Sequence, residues 1–139
     1  MLCGVPVAHD AGLAGHSDAD VATHAVMDAL LGAAGLGDIG ALFPDTDPAF
    51  KDASSVVLLE SVVARLADAG WRVTNVDLVI AAEAPRLDVY RGRMAVRLAS
   101  ALGVDASAVG VKATTTEGMG FTGRGEGMAA TAVCLIERE

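Results

Sequence analysis

Residues 75–86, NVDLVIAAEAPR, carry the clearest strand pattern of the chain. The apolar side chains of Val76, Leu78 and Ile80 occupy alternate positions, which is typical of a strand with one buried face. The strand continues to Ala82 and ends in AAEAPR, where small residues and Pro85 precede a predicted helix. Taken alone, AAEAPR is an ordinary strand-to-helix turn, although its exposed backbone amides could also support a flat base.

The segments on either side of this strand complete an α+β pattern. Helices are predicted from Ser17 to about Ala34, over 53–69 and over 88–102, and further strands over 2–8, 108–115 and 128–137. Ser17 and Asp20 have capping-box spacing, so Asp20 lies at the start of the first helix, and Gly70 lies where the second should end. We therefore predict a single α+β domain over residues 1–139, with helices packed on one face of a mixed four-stranded sheet.

Composition excludes several classes of partner. The 139 residues carry a net charge of −8, which disfavours nucleic acid or an anionic membrane as partner. No apolar run reaches the length of roughly 18 residues that a membrane helix needs. Two cysteines make neither a disulfide framework nor a metal-ligand pattern. We therefore expect a cytoplasmic protein. If its ligand is anionic, we expect bound cations, single basic side chains or backbone amides to bind the negative charge.

The glycine-rich run KATTTEGMGFTGRGEG, residues 112–127, is the strongest candidate for an anion site. It contains GxGxxG, but a strand follows it instead of the helix that a dinucleotide site requires. Glycines allow backbone N–H groups to approach an anion closely, and the threonine hydroxyls add donors. Glu117 could hold a divalent cation beside phosphates, and Arg124 could neutralise a phosphate. A tight hairpin alone would not need TTTE and Arg124 together.

Two further segments are explained by a purely structural role as well as by a functional one. The segment GDIGALFPDTDPAF contains three acidic residues, Asp38, Asp45 and Asp47. Their spacing favours a solvated acidic loop. The functional alternative is that their carboxylates accept hydrogen bonds from substrate hydroxyls. In HSDADVATH, residues 16–24, His24 could bind a metal with Asp20 or Asp28 orienting its second ring nitrogen. A single histidine on a helix is usually structural, so these residues alone do not establish a metal site.

Considered together, these segments resemble one enzyme family. The chain resembles the 2-C-methyl-D-erythritol 2,4-cyclodiphosphate synthases of non-mevalonate isoprenoid biosynthesis. The resemblance lies in the order and spacing of four segments, HSDADVATHAVMDALLGAAGLGDIG, LFPDTDPAFK, AAEAPR and VKATTTEGMGFTGRGEG. The resemblance implies cyclisation of 4-diphosphocytidyl-2-C-methyl-D-erythritol 2-phosphate to the 2,4-cyclodiphosphate, with release of CMP. It also implies a homotrimer whose sheets face the trimer axis, with active sites between subunits.

The resemblance assigns roles to individual residues. It implies that His16 and Thr115 stabilise the transition state, that His24 is a zinc ligand, and that Glu117 is a magnesium or manganese ligand. Arg124 and Glu126 match a pair that faces a cavity on the trimer axis. The implied substrate-binding residues are His16, Ser17, Asp38, Ile39, Gly40, Phe43, Pro44, Asp45, Thr46, Asp47, Ala82, Glu83, Ala84, Pro85, Arg86, Leu87, Asp88, Thr114, Thr115, Thr116, Glu117, Phe121 and Arg124.

The chain departs from the family pattern at its start. The family carries an Asp-x-His pair on a first strand that completes the zinc site, and this sequence has no such pair. We therefore expect an N-terminally truncated domain that binds zinc poorly, because one histidine cannot hold a tetrahedral ion. Arg86 stands where a lysine is frequent, which preserves the charge.

Two alternative functions remain. They are a metal-dependent nucleotide phosphohydrolase and a trimeric cytidine-nucleotide-binding module that is inactive without the first strand.

Overall fold

The computed structural model describes residues 1–8, 20–44, 46–50 and 53–139. Its helices are α1 (Val21–Ala34), α2 (Ile39–Leu42), α3 (Ser55–Asp68), α4 (Arg91–Leu102) and α5 (Gly120–Gly123). Its strands are β1 (Trp71–Ala81), β2 (Val109–Thr114) and β3 (Ala129–Arg138), and 3₁₀ turns cover Pro48–Phe50 and Ala106–Ala108. None of the helices in these ranges is long and apolar enough to cross a membrane. The predicted α+β class is confirmed.

The sheet of the described residues has three strands in the order β2-β1-β3. β1 runs parallel to β2 and antiparallel to β3, so the sheet is mixed as predicted. Val76, Leu78 and Ile80 are buried on the face that α1, α3 and α4 cover. The predicted alternation of β1 therefore identifies its buried face correctly, because the side chains of a strand alternate between the two faces of the sheet.

The predicted strand over residues 2–8 is wrong, and the described residues form a sheet of three strands instead of the predicted four. Leu2 and Val5 form an isolated antiparallel bridge around a tight turn. Cys3 and Gly4 have φ angles of 52° and 71°, which a strand does not adopt. Their amides donate to the Asp20 carboxylate at 2.9 and 2.8 Å. A buried carboxylate thus takes the N–H groups that a sheet ladder would have used.

The ends of α1 follow from local chemistry. Asp20 is the N-cap, and its side chain accepts from the Thr23 amide at 3.0 Å, as predicted for a cap at this position. Gly35 ends the helix in the left-handed conformation, with φ 70°. The helix therefore begins at Val21, later than the predicted start at Ser17, which lies outside the described residues.

Two other boundaries differ from the predictions. α4 begins at Arg91 and not at Asp88, because Leu87 is buried and its carbonyl accepts from the Tyr90 amide in a separate turn. The region predicted as a loop contains the four-residue helix α2. The Asp38 carboxylate caps this helix by accepting from the Ala41 amide at 2.8 Å.

Candidate active site

A cavity lies at the carboxyl ends of the parallel strands β1 and β2. Ala81 pairs with Thr114 in the last register position, and the Ala82 amide donates to the Thr114 carbonyl at 3.0 Å. The segments that follow the two strands therefore lie side by side. The cavity has a volume of about 420 Å³ and is lined by Ala82, Glu83, Pro85, Arg86, Leu87, Asp88, Ala113, Thr114 and Thr115.

One wall of the cavity is the turn over residues 82–88. Arg86 is 89% exposed at its side chain and forms an ion pair with Asp88 at 3.0 Å. Asp88 also lies 3.7 Å from the Arg91 guanidinium. Leu87 is buried in the core and anchors the turn. The turn thus presents one cationic side chain, Arg86, at its edge and small residues at its centre.

The other wall is formed by Ala113, Thr114 and Thr115, and the turn over residues 114–119 continues from this wall. Glu117 has a φ of 55°, in the left-handed region. The Thr116 hydroxyl donates to the Met119 carbonyl at 2.7 Å and lies 2.8 Å from the Thr122 hydroxyl. The Met119 amide closes the turn by donating to the Thr116 carbonyl at 3.0 Å. These contacts fix a turn whose central residue is an exposed carboxylate.

Glu83 crosses from one wall to the other. Its Oε1 atom accepts from the Thr116 amide at 3.3 Å and from the Gly118 amide at 3.1 Å. The Glu117 carboxylate itself makes no hydrogen bond or ion pair with the described residues. It is therefore the acidic group of this turn that is available to a cation.

The short helix α5 follows this turn. Gly123 packs so closely on the backbone of Gly118 that a side chain at position 123 would collide with it. The Arg124 guanidinium donates to both oxygens of Glu126, each at 3.0 Å. Phe121 is 49% exposed. Arg124 is thus held in a pair with Glu126.

The predicted residues of α1 and the following loop lie apart from the cavity lining. His24 is half-buried in the first turn of α1, and its amide donates to the Asp20 carbonyl at 3.1 Å. The Asp28 carboxylate accepts from the Ile39 amide at 2.9 Å and joins α1 to α2. Within the described ranges, no three His, Cys, Asp or Glu side chains form a group that could hold a metal ion.

The loop after α2 is organised by its own side chains. Phe43 and Phe50 meet edge to face, with ring centroids 5.1 Å apart. The Asp47 carboxylate accepts from the Ala49 amide at 2.9 Å, which starts the 3₁₀ turn at Pro48. Pro44 is half-buried and Thr46 is exposed beside them.

The structure therefore brings together only part of the predicted site. The cavity unites residues of AAEAPR with those of the threonine run, whereas His24, residues 38–40 and residues 43, 44, 46 and 47 lie on other elements. The predicted residues His16, Ser17 and Asp45 lie outside the described residues. The sequence prediction missed Ala113, which lines the cavity, and Thr122, which is buried against Thr116. The position of Ala113 directly before the threonines was the available signal for its role.

The fold and this cavity place the chain in a known class of proteins. The model of the YgbB family matches residues 1–137, so the chain belongs to the YgbB family. It is 58% identical over 138 residues to the 2-C-methyl-D-erythritol 2,4-cyclodiphosphate synthase of Rubrobacter xylanophilus, covering 99% of this chain and 83% of the relative. It is 57% identical to the synthase of Thiobacillus denitrificans, covering 99% and 86%. The family resemblance of the motifs is confirmed.

Solved structures agree with this assignment. The bifunctional IspDF of Campylobacter jejuni superposes with a TM-score of 0.96 at 42% identity, over all of this chain and 38% of that chain. A 2C-methyl-D-erythritol-2,4-cyclodiphosphate synthase in its CDP-bound form superposes with a TM-score of 0.90 at 34% identity, over 99% and 89%.

Proposed function

We propose that the chain cyclises 4-diphosphocytidyl-2-C-methyl-D-erythritol 2-phosphate to 2-C-methyl-D-erythritol 2,4-cyclodiphosphate and releases CMP. The observation that carries this proposal is the cavity between AAEAPR and the threonine run, whose walls are joined by Glu83. The chain is an enzyme of a family whose members are named for this reaction. The CDP-bound structural relative supports a cytidine nucleotide as the ligand class.

The chemistry suits a site without a strong general base. An oxygen of the 2-phosphate attacks the β-phosphorus, the bond from this phosphorus to the bridging oxygen breaks, and that oxygen leaves with CMP. A phosphate monoester has its second pKa near 6, so the nucleophile is mostly dianionic at neutral pH. Because it is tethered to the same molecule, the enzyme mainly has to bring two anionic groups together and stabilise the spreading charge.

The two walls of the cavity bind different parts of the substrate. Residues 82–88 bind the cytidine end through backbone groups, with Arg86 at the edge of the cavity. Thr114, Thr115 and Thr116 contact the diphosphate, and the Thr115 hydroxyl is the donor to it, because such a donor stabilises a phosphoryl charge that grows in the transition state. We assign transition-state stabilisation to Thr115 and to His16. The remaining proposed substrate contacts are Ser17, Asp38, Ile39, Gly40, Phe43, Pro44, Asp45, Thr46, Asp47, Phe121 and Arg124.

Magnesium or manganese fits the turn at Glu117. Mg²⁺ is commonly held by one or two carboxylates together with substrate phosphates, and it keeps several waters. The exposed and unpaired Glu117 carboxylate meets this requirement without a second protein ligand. When bound, the cation would neutralise charge on the diphosphate. The chain's own contribution is to hold Glu117 beside the threonine donors.

Zinc does not fit the described residues in the same way. A structural or catalytic zinc site needs three or four protein ligands, and His24 belongs to no group of that size within the described ranges. We therefore keep His24 as a proposed zinc ligand only in combination with ligands from outside these ranges. No step of the reaction is assigned to zinc.

We further propose a homotrimer whose sheets face the trimer axis, with active sites between subunits. The sheet face opposite the helices carries Val133 and Leu135, which are 66% and 61% exposed. Exposed apolar side chains that are adjacent on one face indicate an interaction surface. The Arg124–Glu126 pair would then face the axis. We propose a cytoplasmic location, and the net charge of −8 disfavours a nucleic-acid partner.

Phosphorus NMR of the products tests the proposed reaction. The cyclisation releases CMP together with a cyclic diphosphate, whereas a hydrolase that uses water would release CMP and an uncyclised bisphosphate. Thr115→Ala should lower kcat by about 100-fold, since the loss of one transition-state donor has an effect of this size. Thr74→Ala, at an exposed position of β1, should leave the rate unchanged. Binding of CDP without any turnover would favour the nucleotide-binding module.

A further inference from the structure

We infer that Glu83 is a positioning residue whose side chain holds the turn Thr116–Gly118 and thereby orients the Glu117 carboxylate. The inference rests on the proposed function of this site. Oε1 of Glu83 accepts from two amides that lie 33 and 35 residues away in the chain, at 3.3 and 3.1 Å. Because these amides flank Glu117, the residue between them is clamped.

The turn needs such a clamp because of its backbone conformation. Glu117 has a φ of 55°, and Gly118 continues the turn with a φ of 77°. The left-handed region is unfavourable for a residue that has a Cβ atom, so it persists only where neighbouring contacts fix it. Without them, Glu117 would sample extended conformations that point its carboxylate elsewhere.

The other contacts of the turn are local in sequence. The Thr116 side chain bonds to the Met119 carbonyl and to the Thr122 hydroxyl, which joins the turn to α5. The sheet ladder ends with the bond from the Ala82 amide to the Thr114 carbonyl. Glu83 extends the connection beyond that point, so it couples the wall at 82–88 to the wall that carries Glu117.

The role of Glu83 depends on an acceptor oxygen and not on a charge. A negative charge beside a diphosphate would repel it, whereas an oxygen that accepts two backbone N–H groups makes the turn rigid. A glutamine keeps an acceptor oxygen of similar reach and loses the charge. Glu83→Gln should therefore retain the function that Glu83→Met and Glu83→Ala lose, and this separates positioning from a direct role as base or metal ligand.

The experiment compares these three variants with the unaltered chain and with Glu60→Ala, an exposed glutamate on α3. Amide hydrogen exchange at Thr116 and Gly118, followed by NMR without ligand, should be at least about tenfold faster in Glu83→Met and Glu83→Ala. The affinity for CDP with Mg²⁺ should fall about tenfold in these two variants. The affinity for CMP should change less than about twofold, because CMP lacks the phosphate that meets Glu117. Glu83→Gln and Glu60→Ala should match the unaltered chain in all three measurements.

Three results would overturn the inference. They are unchanged exchange at both amides in Glu83→Met, an equal loss of CMP and CDP affinity, and a Glu83→Gln variant as impaired as Glu83→Met. Failure of the proposed function is a separate result, in which the unaltered chain forms no cyclic product and binds no CDP. The exchange measurement needs no ligand, so it decides the clamp in that case as well.

Discussion

The Ser55 hydroxyl donates a hydrogen bond of 2.9 Å to Oδ2 of Asp20, and this bond joins the start of α3 to the N-cap of α1. Asp20 is completely buried. Its two oxygens also accept from the amides of Cys3, Gly4 and Thr23 and from the Thr23 hydroxyl. One carboxylate therefore connects three segments that are far apart in sequence.

Asp20→Ala should destabilise the fold strongly. Several buried donors would lose their acceptor, and each unsatisfied buried group costs about 1–3 kcal/mol, so a total loss of about 3 kcal/mol or more is expected. Urea unfolding measures this. Asp105→Ala removes an exposed capping carboxylate that accepts from the Ser107 amide, and its effect should be much smaller. Equal effects of the two variants would contradict the connecting role of Asp20.

Glu117→Gln should weaken the binding of CDP in the presence of Mg²⁺ by about tenfold, because an amide oxygen replaces a charged oxygen ligand. Calorimetric titration with MgCl₂ and again with EDTA measures the effect. CMP affinity should stay within about twofold, and Glu60→Gln should behave as the unaltered chain. A Glu117→Gln variant with the full Mg²⁺ enhancement would exclude Glu117 as the ligand.

Leu135→Lys should convert the proposed trimer to a monomer. The side chain is 61% exposed on the sheet face opposite the helices, and a charge buried there without a partner would be costly. Light scattering after size-exclusion chromatography gives the mass. Val96→Lys changes a side chain that is 60% exposed on α4, and it should remain trimeric. A monomeric unaltered chain would show that the proposed trimer is wrong.

Cys3 should make the fold less stable at alkaline pH. Burial, and then the nearby Asp20 carboxylate, raise the pKa of the Cys3 thiol above its ordinary value. Above about pH 8.5 the unfolded chain loses this proton while the folded chain keeps it, so stability falls as the pH rises. Between pH 7.5 and 9.5 the loss attributable to Cys3 should be about 1 kcal/mol.

Urea unfolding of the unaltered chain and of Cys3→Ala at both pH values isolates this contribution. Burial also raises the pKa of Cys134, which remains in both proteins and serves as the internal reference. In native protein at pH 8, Cys134 should react with a thiol reagent before Cys3. An identical pH dependence of the two proteins would contradict the assignment.

The 139-residue chain should retain much less than one equivalent of zinc after dialysis. His24 has no group of three candidate ligands around it in the described ranges, and one histidine does not hold a tetrahedral ion. Metal analysis by mass spectrometry gives the stoichiometry. One zinc per chain, lost in His24→Ala, would show that ligands outside the described residues complete the site.

The sequence by itself determined the parts of the protein that depend on local patterns. The alternation at Val76, Leu78 and Ile80 predicted a strand and its buried face, and Gly70 predicted the end of α3 at the correct place. The motif AAEAPR and the threonine run predicted the two segments that line the cavity among the described residues.

Only the tertiary structure decided the contacts between segments that are distant in the chain. Asp20 draws the amides of Cys3 and Gly4 away from a sheet, which removed the predicted first strand. Glu83 was predicted to bind substrate, and the structure adds that its oxygen accepts from the amides that flank Glu117. These outcomes depend on which side-chain acceptor lies within about 3 Å of which backbone donor. That distance is set by the packing of groups that are 16–35 residues apart in the sequence. The local periodicity of the sequence does not predict it.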